Sequence, residues 1–140
     1  MDLTKSDKKE IVSAIHDAEK RTSGEIRVHL KGWCGRDVLR EAQKAFTRLK
    51  MHRTREQNGV LIFIVLKNRE FAVVGDQGIH GRVGEAFWNT IRDKMAGYFS
   101  QGKLKEGILA GVEEAGRKLG EHFPRRAGDV NELPDGITED

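Results

Sequence analysis

The chain has 140 residues, 25 Lys and Arg against 22 Asp and Glu, a formal charge of +3 and 37% hydrophobic residues. That length fits one compact domain that buries a core without help from metal or disulfide, and the single cysteine, Cys34, excludes an intrachain disulfide. The charge is uneven: residues 125–140 set two arginines against Asp129, Glu132, Asp135, Glu139 and Asp140, which leaves residues 1–124 six charges to the positive side.

The N-terminus MDLTKSDKKE is charged and shows no apolar signal region. The longest apolar run, residues 60–66, is seven residues long, whereas a membrane-spanning helix needs about 20. These features lead us to expect a cytoplasmic protein with no membrane partner.

In chain order, Ser6 is the expected cap of a helix over residues 6–21, with Ile11, Ile15 and Ala18 on one face. Residues 25–30 alternate, with Ile26, Val28 and Leu30 on one side and Glu25, Arg27 and His29 on the other, which reads as a half-buried strand. After a loop over residues 32–35, Asp37 starts a helix whose inner face is Val38, Ala42, Ala45, Phe46 and Leu49. The run VLIFIVL after Asn58-Gly59 reads as a central strand covered on both faces. Residues 67–69 form a turn, and residues 71–74 return antiparallel. A Gly-rich connection leads to a helix with Val83, Phe87, Ile91 and Met95 at four-residue spacing, and Leu104, Ile108, Val112, Ala115 and Leu119 mark the last helix. The order α-β-α-β-β-α-α predicts an α/β fold, a small mixed β-sheet with helices on both faces. Residues 1–124 form its single domain, and residues 125–140 an acidic C-terminal tail.

This topology converges on one sheet rim. The first two strands, joined through a helix, are expected to be parallel with a right-handed crossover, and the third is antiparallel to the second. Glu25, Asn58 and Asp76 then meet at the same edge. Two carboxylates and an amide are hard oxygen donors suited to Ca²⁺ or Mg²⁺, completed by carbonyl or water oxygens. The stretch GDQGIHGRVG carries glycine at every third position, so Gly78, Gly81 and Arg82 form a candidate anion-binding loop; it contains neither a P-loop nor a G-x-G-x-x-G fingerprint.

Other motifs weigh less. Cys34 and Arg40 have the C-x₅-R spacing of cysteine phosphatases, but Asp37 puts a carboxylate inside the phosphate cradle, so Cys34 reads as an ordinary partly buried cysteine. Arg36, Arg40, Lys44 and Arg48 line the solvated face of their helix without interleaved aromatics, which argues against nucleic acid. His29 reads as a surface or helix-packed histidine, and no Cys/His cluster suggests zinc.

The segments GEIRVHL, Met51-x-x-Thr54 leading into NGVLIFIVL, EFAVVGDQGI with Val83-Gly84 and Phe87-Trp88, and the late FP…NELPD resemble the TPM domain family, named for a thylakoid-lumen phosphatase, a photosystem II repair protein and an ion-channel modulator. The resemblance covers about residues 8–136 and looks closest to short bacterial members. It implies a three-layer α/β/α sandwich, divalent-metal binding (chiefly calcium) at acidic loop positions near the sheet edge, and, by likeness to some plant members, acid phosphatase activity. Residue by residue it supports Glu25, Asn58 and Asp76 as metal ligands, without a complete ligand set. Two departures stand out: the signal peptide and membrane anchor common among relatives are missing, and Asn68 takes the place of the usual acidic residue in the hairpin turn.

The expectation is therefore a divalent cation at the rim, with Asp76 as the catalytic residue of a weak metal-dependent phosphate-monoester hydrolase and Arg82 or His80 balancing charge. The alternative is a non-enzymatic interaction or regulatory module with a structural metal. The corresponding partners are a small phosphate ester or an unknown protein. The NELPD match predicts that residues 131–135 fold back onto the body.

Overall fold

The computed structural model describes residues 3–35, 37–125 and 136–140. Its elements are α1 (Lys5–Glu19), β1 (Glu25–Lys31), α2 (Val38–Arg48), a 3-10 turn (Met51–Arg53), β2 (Gly59–Val65), β3 (Glu70–Gly75), α3 (Gln77–His80), α4 (Glu85–Phe99), α5 (Leu104–His122) and β4 (Ile137–Glu139). The four strands form one sheet in the order β3-β2-β1-β4. β1 runs parallel to both β2 and β4, and β2 antiparallel to β3.

The period of two along each strand sorts side chains into two cores. Ile26, Val28, Leu30, Val60, Ile62 and Ile64 pack under α1, α4 and α5 with Ile11, Ile91 and Ile108. Leu61, Phe63, Val65 and Ala72 pack on the other side against Val38, Ala42, Ala45 and Phe46 of α2. Helices thus cover both faces, and the architecture is the expected α/β/α sandwich. β2 lies between β1 and β3 and is buried along its whole length, which is why its sequence shows no polar alternation.

Two expectations need correction. Thr4, not Ser6, caps α1: the Thr4 hydroxyl accepts from the Asp7 amide and the Asp7 carboxylate from the Thr4 amide, both at 3.0 Å. This is a reciprocal capping box, satisfying two orphan donors at once. Second, β1 is buried on both sides. His29 is 1% exposed and Arg27 7% exposed; the His29 ring stacks on Phe63 at 5.5 Å.

The tail contains β4, which covers the outer edge of β1. His29 Nδ1 is 2.6 Å from the Thr138 hydroxyl and Nε2 is 2.9 Å from Asp140 Oδ2. A carboxylate only accepts, so the ring hydrogen sits on Nε2 and the Thr138 hydroxyl donates to Nδ1. Arg48 grips Asp140 with two bonds of 3.0 and 2.7 Å. His29, one of the alternating polar residues of β1, is buried within this network. Residues 131–135, expected to fold back onto the body, lie outside the described residues, as does Arg36.

Among the described residues no helix is long and apolar enough to cross a membrane.

Candidate functional site

The rim forms where β1 and β2 begin and β3 ends. Glu25 pairs with Gly59, and the Asp76 amide donates to the Gly59 carbonyl at 3.0 Å, continuing the β2–β3 ladder past its last strand residue. Glu25, Gly59 and Asp76 therefore form one row across three strands, with glycine in the middle. Strand spacing puts the two acidic backbones roughly 10 Å apart. By strand alternation both side chains stand on the α2 face, since Leu61 and Ala72 in phase with them face that core.

Gly59 leaves that space for backbone. A Cβ there would lie 3.0 Å from the Met51 carbonyl oxygen, so the 3-10 turn brings a main-chain oxygen over the middle of the row. Met51 is itself fully buried.

Asp76 is 8% exposed. Its Oδ1 caps α3, accepting from the Gln77 amide at 2.7 Å, and its Oδ2 is buried without a hydrogen-bond partner among the described residues. A buried carboxylate oxygen without a donor is costly and calls for a cation or a proton. Glu25 is 3% exposed.

Asn58 is anchored at three points. Its amide donates to the Thr54 hydroxyl at 3.1 Å, and its side-chain Nδ2 donates to Ser23 Oγ at 3.2 Å and Glu56 Oε2 at 3.3 Å. Ser23 also donates to Glu56 at 3.0 Å. With Nδ2 so engaged, Oδ1 is the atom turned away from Ser23 and Glu56. Glu19 joins the rim from α1, its buried carboxylate accepting from the Ile26 amide at 2.8 Å. The supporting residues Ser23, Glu56 and Glu19 and the Met51 carbonyl were missed from sequence. Only their contacts across distant segments mark them.

The Gly-rich stretch is more ordered than a loop. Residues 77–80 form α3, and Gly78 packs its Cα against the carbonyls of Glu56 and Gln57, where a Cβ would collide. Gly78 thus docks α3 onto the segment before Asn58. Gly81 faces open space. Arg82 is exposed; it donates to the His122 carbonyl at 3.2 Å and its guanidinium lies 4.6 Å from the centre of the Phe123 ring. His80 Nε2 lies 3.2 Å from the Gly75 carbonyl.

Cys34 is buried, and Asn68 clasps its backbone, accepting from the Cys34 amide at 3.3 Å and donating to its carbonyl at 2.7 Å. An amide side chain carries both the acceptor and the donor that this clasp uses, which suits Asn68 to the hairpin turn. Among the described residues no three His, Cys, Asp or Glu side chains are grouped so as to hold a metal by themselves. Any cation at the rim needs amide, carbonyl or water oxygens as well.

The model of the TPM domain matches residues 2–118. The chain belongs to the TPM domain family. Among solved structures, the BA42 protein from the psychrophilic bacterium Bizionia argentinensis is 44% identical with a TM-score of 0.95, over 100% of this chain and 97% of that one. The N-terminal domain of a P. gingivalis protein has a TM-score of 0.69 at 19% identity, over 89% and 82% of the two chains. The N-terminal domain of cg2496 from Corynebacterium glutamicum has a TM-score of 0.65 at 17% identity, over 99% and 81%. The last two share the fold. Among curated proteins none matches the chain. This TPM domain therefore carries the family's sandwich with Glu25, Gly59 and Asp76 aligned at one rim.

Proposed function

We propose that this TPM domain binds a divalent cation, Ca²⁺ or Mg²⁺, at the rim and has weak phosphate-monoester hydrolase activity. The observation that supports it best is the buried Asp76 Oδ2 without a donor, beside a row in which glycine separates two carboxylates. Asp76, Glu25, Asn58 Oδ1 and the Met51 carbonyl are the oxygens that would hold the ion. Mixed carboxylate, amide and carbonyl donors suit Ca²⁺ best, and Mg²⁺ would keep more of its waters.

A bound divalent cation supplies Lewis-acid polarisation of a phosphoryl oxygen. The chain's own part is to fix the donors: α3 holds Asp76 through its cap, and Ser23 and Glu56 orient Asn58. An ester phosphate would approach over the open side of Gly81, with the exposed Arg82 as its counter-charge.

One observation favours a non-enzymatic reading. Arg82 and His80 already give hydrogen bonds to or meet the carbonyls of His122 and Gly75, so the rim then holds a structural cation and serves as an interaction or regulatory module. Hydrolysis of p-nitrophenyl phosphate with Ca²⁺, with Mg²⁺ and with chelator separates the two. The enzyme reading predicts metal-dependent turnover that collapses in Asp76→Asn. Cation binding without turnover supports the module, and turnover indifferent to Asp76→Asn contradicts the proposed catalytic role.

A further inference from the structure

At the opposite end of the sheet lies an apolar pocket of about 380 Å³, lined by Ile64, Leu66, Phe71, Phe99 and Leu104 with Arg69 at its edge. Ile64 pairs with Leu30 and Phe71, so the pocket sits where β1 and β2 end, remote from the row at Gly59. Its volume falls within the roughly 300–1,000 Å³ of small-molecule sites, which combine apolar walls with a few orienting polar groups.

The walls are held in place from behind. Phe99 meets Phe71 edge-on at 5.1 Å, and its ring occupies the space that a Cβ at Gly107 would need. The polar groups are asymmetric. Glu70 accepts from Asn68 Nδ2 at 3.3 Å and so leans toward the hairpin turn. Arg69 is exposed and takes part in no ion pair among the described residues. It also holds a left-handed backbone, φ 54°, where glycine or asparagine costs less. Lys67, two residues earlier on the same turn, is exposed as well.

We propose that this pocket binds a small amphiphilic carboxylate, its apolar tail among Leu66, Phe71 and Phe99 and its carboxylate on the Arg69 guanidinium, which presents a planar fork matched to that group. The inference is independent of the rim and of any cation there.

Titrating octanoate, and separately octan-1-ol, into the full chain while recording amide spectra tests it. Octanoate should shift amides of residues 64–71 and 96–104. Arg69→Gln should weaken octanoate about tenfold, the scale of one charge-assisted bond, and leave octan-1-ol unchanged. Ala96→Trp, at an exposed position lining the pocket, should abolish both by filling the space. Absence of octanoate shifts at millimolar concentration overturns the proposal, including the case in which the pocket instead receives an apolar side chain of a protein partner. So do shifts centred elsewhere, shifts surviving Ala96→Trp, or octanoate affinity unchanged in Arg69→Gln. Both substitutions are on the surface, and unperturbed spectra away from the pocket establish that each variant is folded.

Discussion

Glu25 and Asp76 flank Gly59 in a single row across three strands, and the Met51 carbonyl closes over the glycine between them. The Asp76 Oδ2 on this buried rim has no hydrogen-bond partner among the described residues, and a proton or a cation would relieve that burial. The central glycine keeps the space between the two carboxylates free of a side chain. Gly59→Ala would set a Cβ 3.0 Å from the Met51 oxygen, so the 3-10 turn must give way by a few tenths of an ångström. We expect a loss of about 1–3 kcal/mol in chemical denaturation and a weaker response to Ca²⁺ in the amide spectrum.

Gly78 makes the matching close approach on α3. Gly78→Ala has no room against the carbonyls of Glu56 and Gln57. It should lower stability by at least about 1 kcal/mol and shift the amides of residues 54–58, since the same segment carries Asn58. Gly81→Ala, facing open space, is the control and should leave both readouts unchanged.

Asp140 ties β4 to the body through His29 and Arg48. The Arg48 guanidinium holds the Asp140 carboxyl down from 3.8 to about 2, and burial pushes His29 below its ordinary 6.5. In both cases the unfolded chain binds protons more readily than the folded one, so both contributions are complete near neutral pH and are lost on acidification. His29 acts first, below pH 6.5, and Asp140 follows as the pH falls from 3.8 towards about 2. Protection factors at residues 137–139, measured against the intrinsic exchange rate at each pH, should fall ahead of those of the core as the pH drops. Asp140→Asn should cost about 1–3 kcal/mol and flatten the lower part of that pH dependence.

Much of this fold is legible in the sequence because local pattern and tertiary environment agree. VLIFIVL is apolar throughout and is covered on both faces; Ile11 and Ile15 mark the buried stripe of α1. β1 misleads because alternation signals polarity, not exposure. Arg27 and His29 read as solvent-facing, yet both are buried, and β4 pairs alongside His29. β4 itself is three residues, Ile-Thr-Glu, in an acidic stretch without periodicity; its pairing with β1 is entirely non-local. The rim was legible from chain direction alone, which brings Glu25, Asn58 and Asp76 to one edge. The Met51 carbonyl and the Ser23–Glu56 support were not, since a main-chain oxygen has no sequence signature.

Asn68 offers a test at the hairpin turn. Asn68→Asp keeps an acceptor for the Cys34 amide but loses the donor to its carbonyl, now bonded at 2.7 Å. A loss of about 1 kcal/mol in denaturant unfolding is expected, with the change in amide spectra confined to residues 32–35 and 66–70.

The most direct measurement is a Ca²⁺ titration of the full chain followed by amide spectra, wild type beside Asp76→Asn. Asparagine caps a helix as well as aspartate does, so the variant keeps α3 and removes only the charge. Binding at the rim predicts saturable shifts at residues 25, 51, 58–59 and 76–81 in the wild type, abolished in Asp76→Asn. Saturable shifts that persist unchanged in Asp76→Asn, or none at that rim in the wild type, would contradict it.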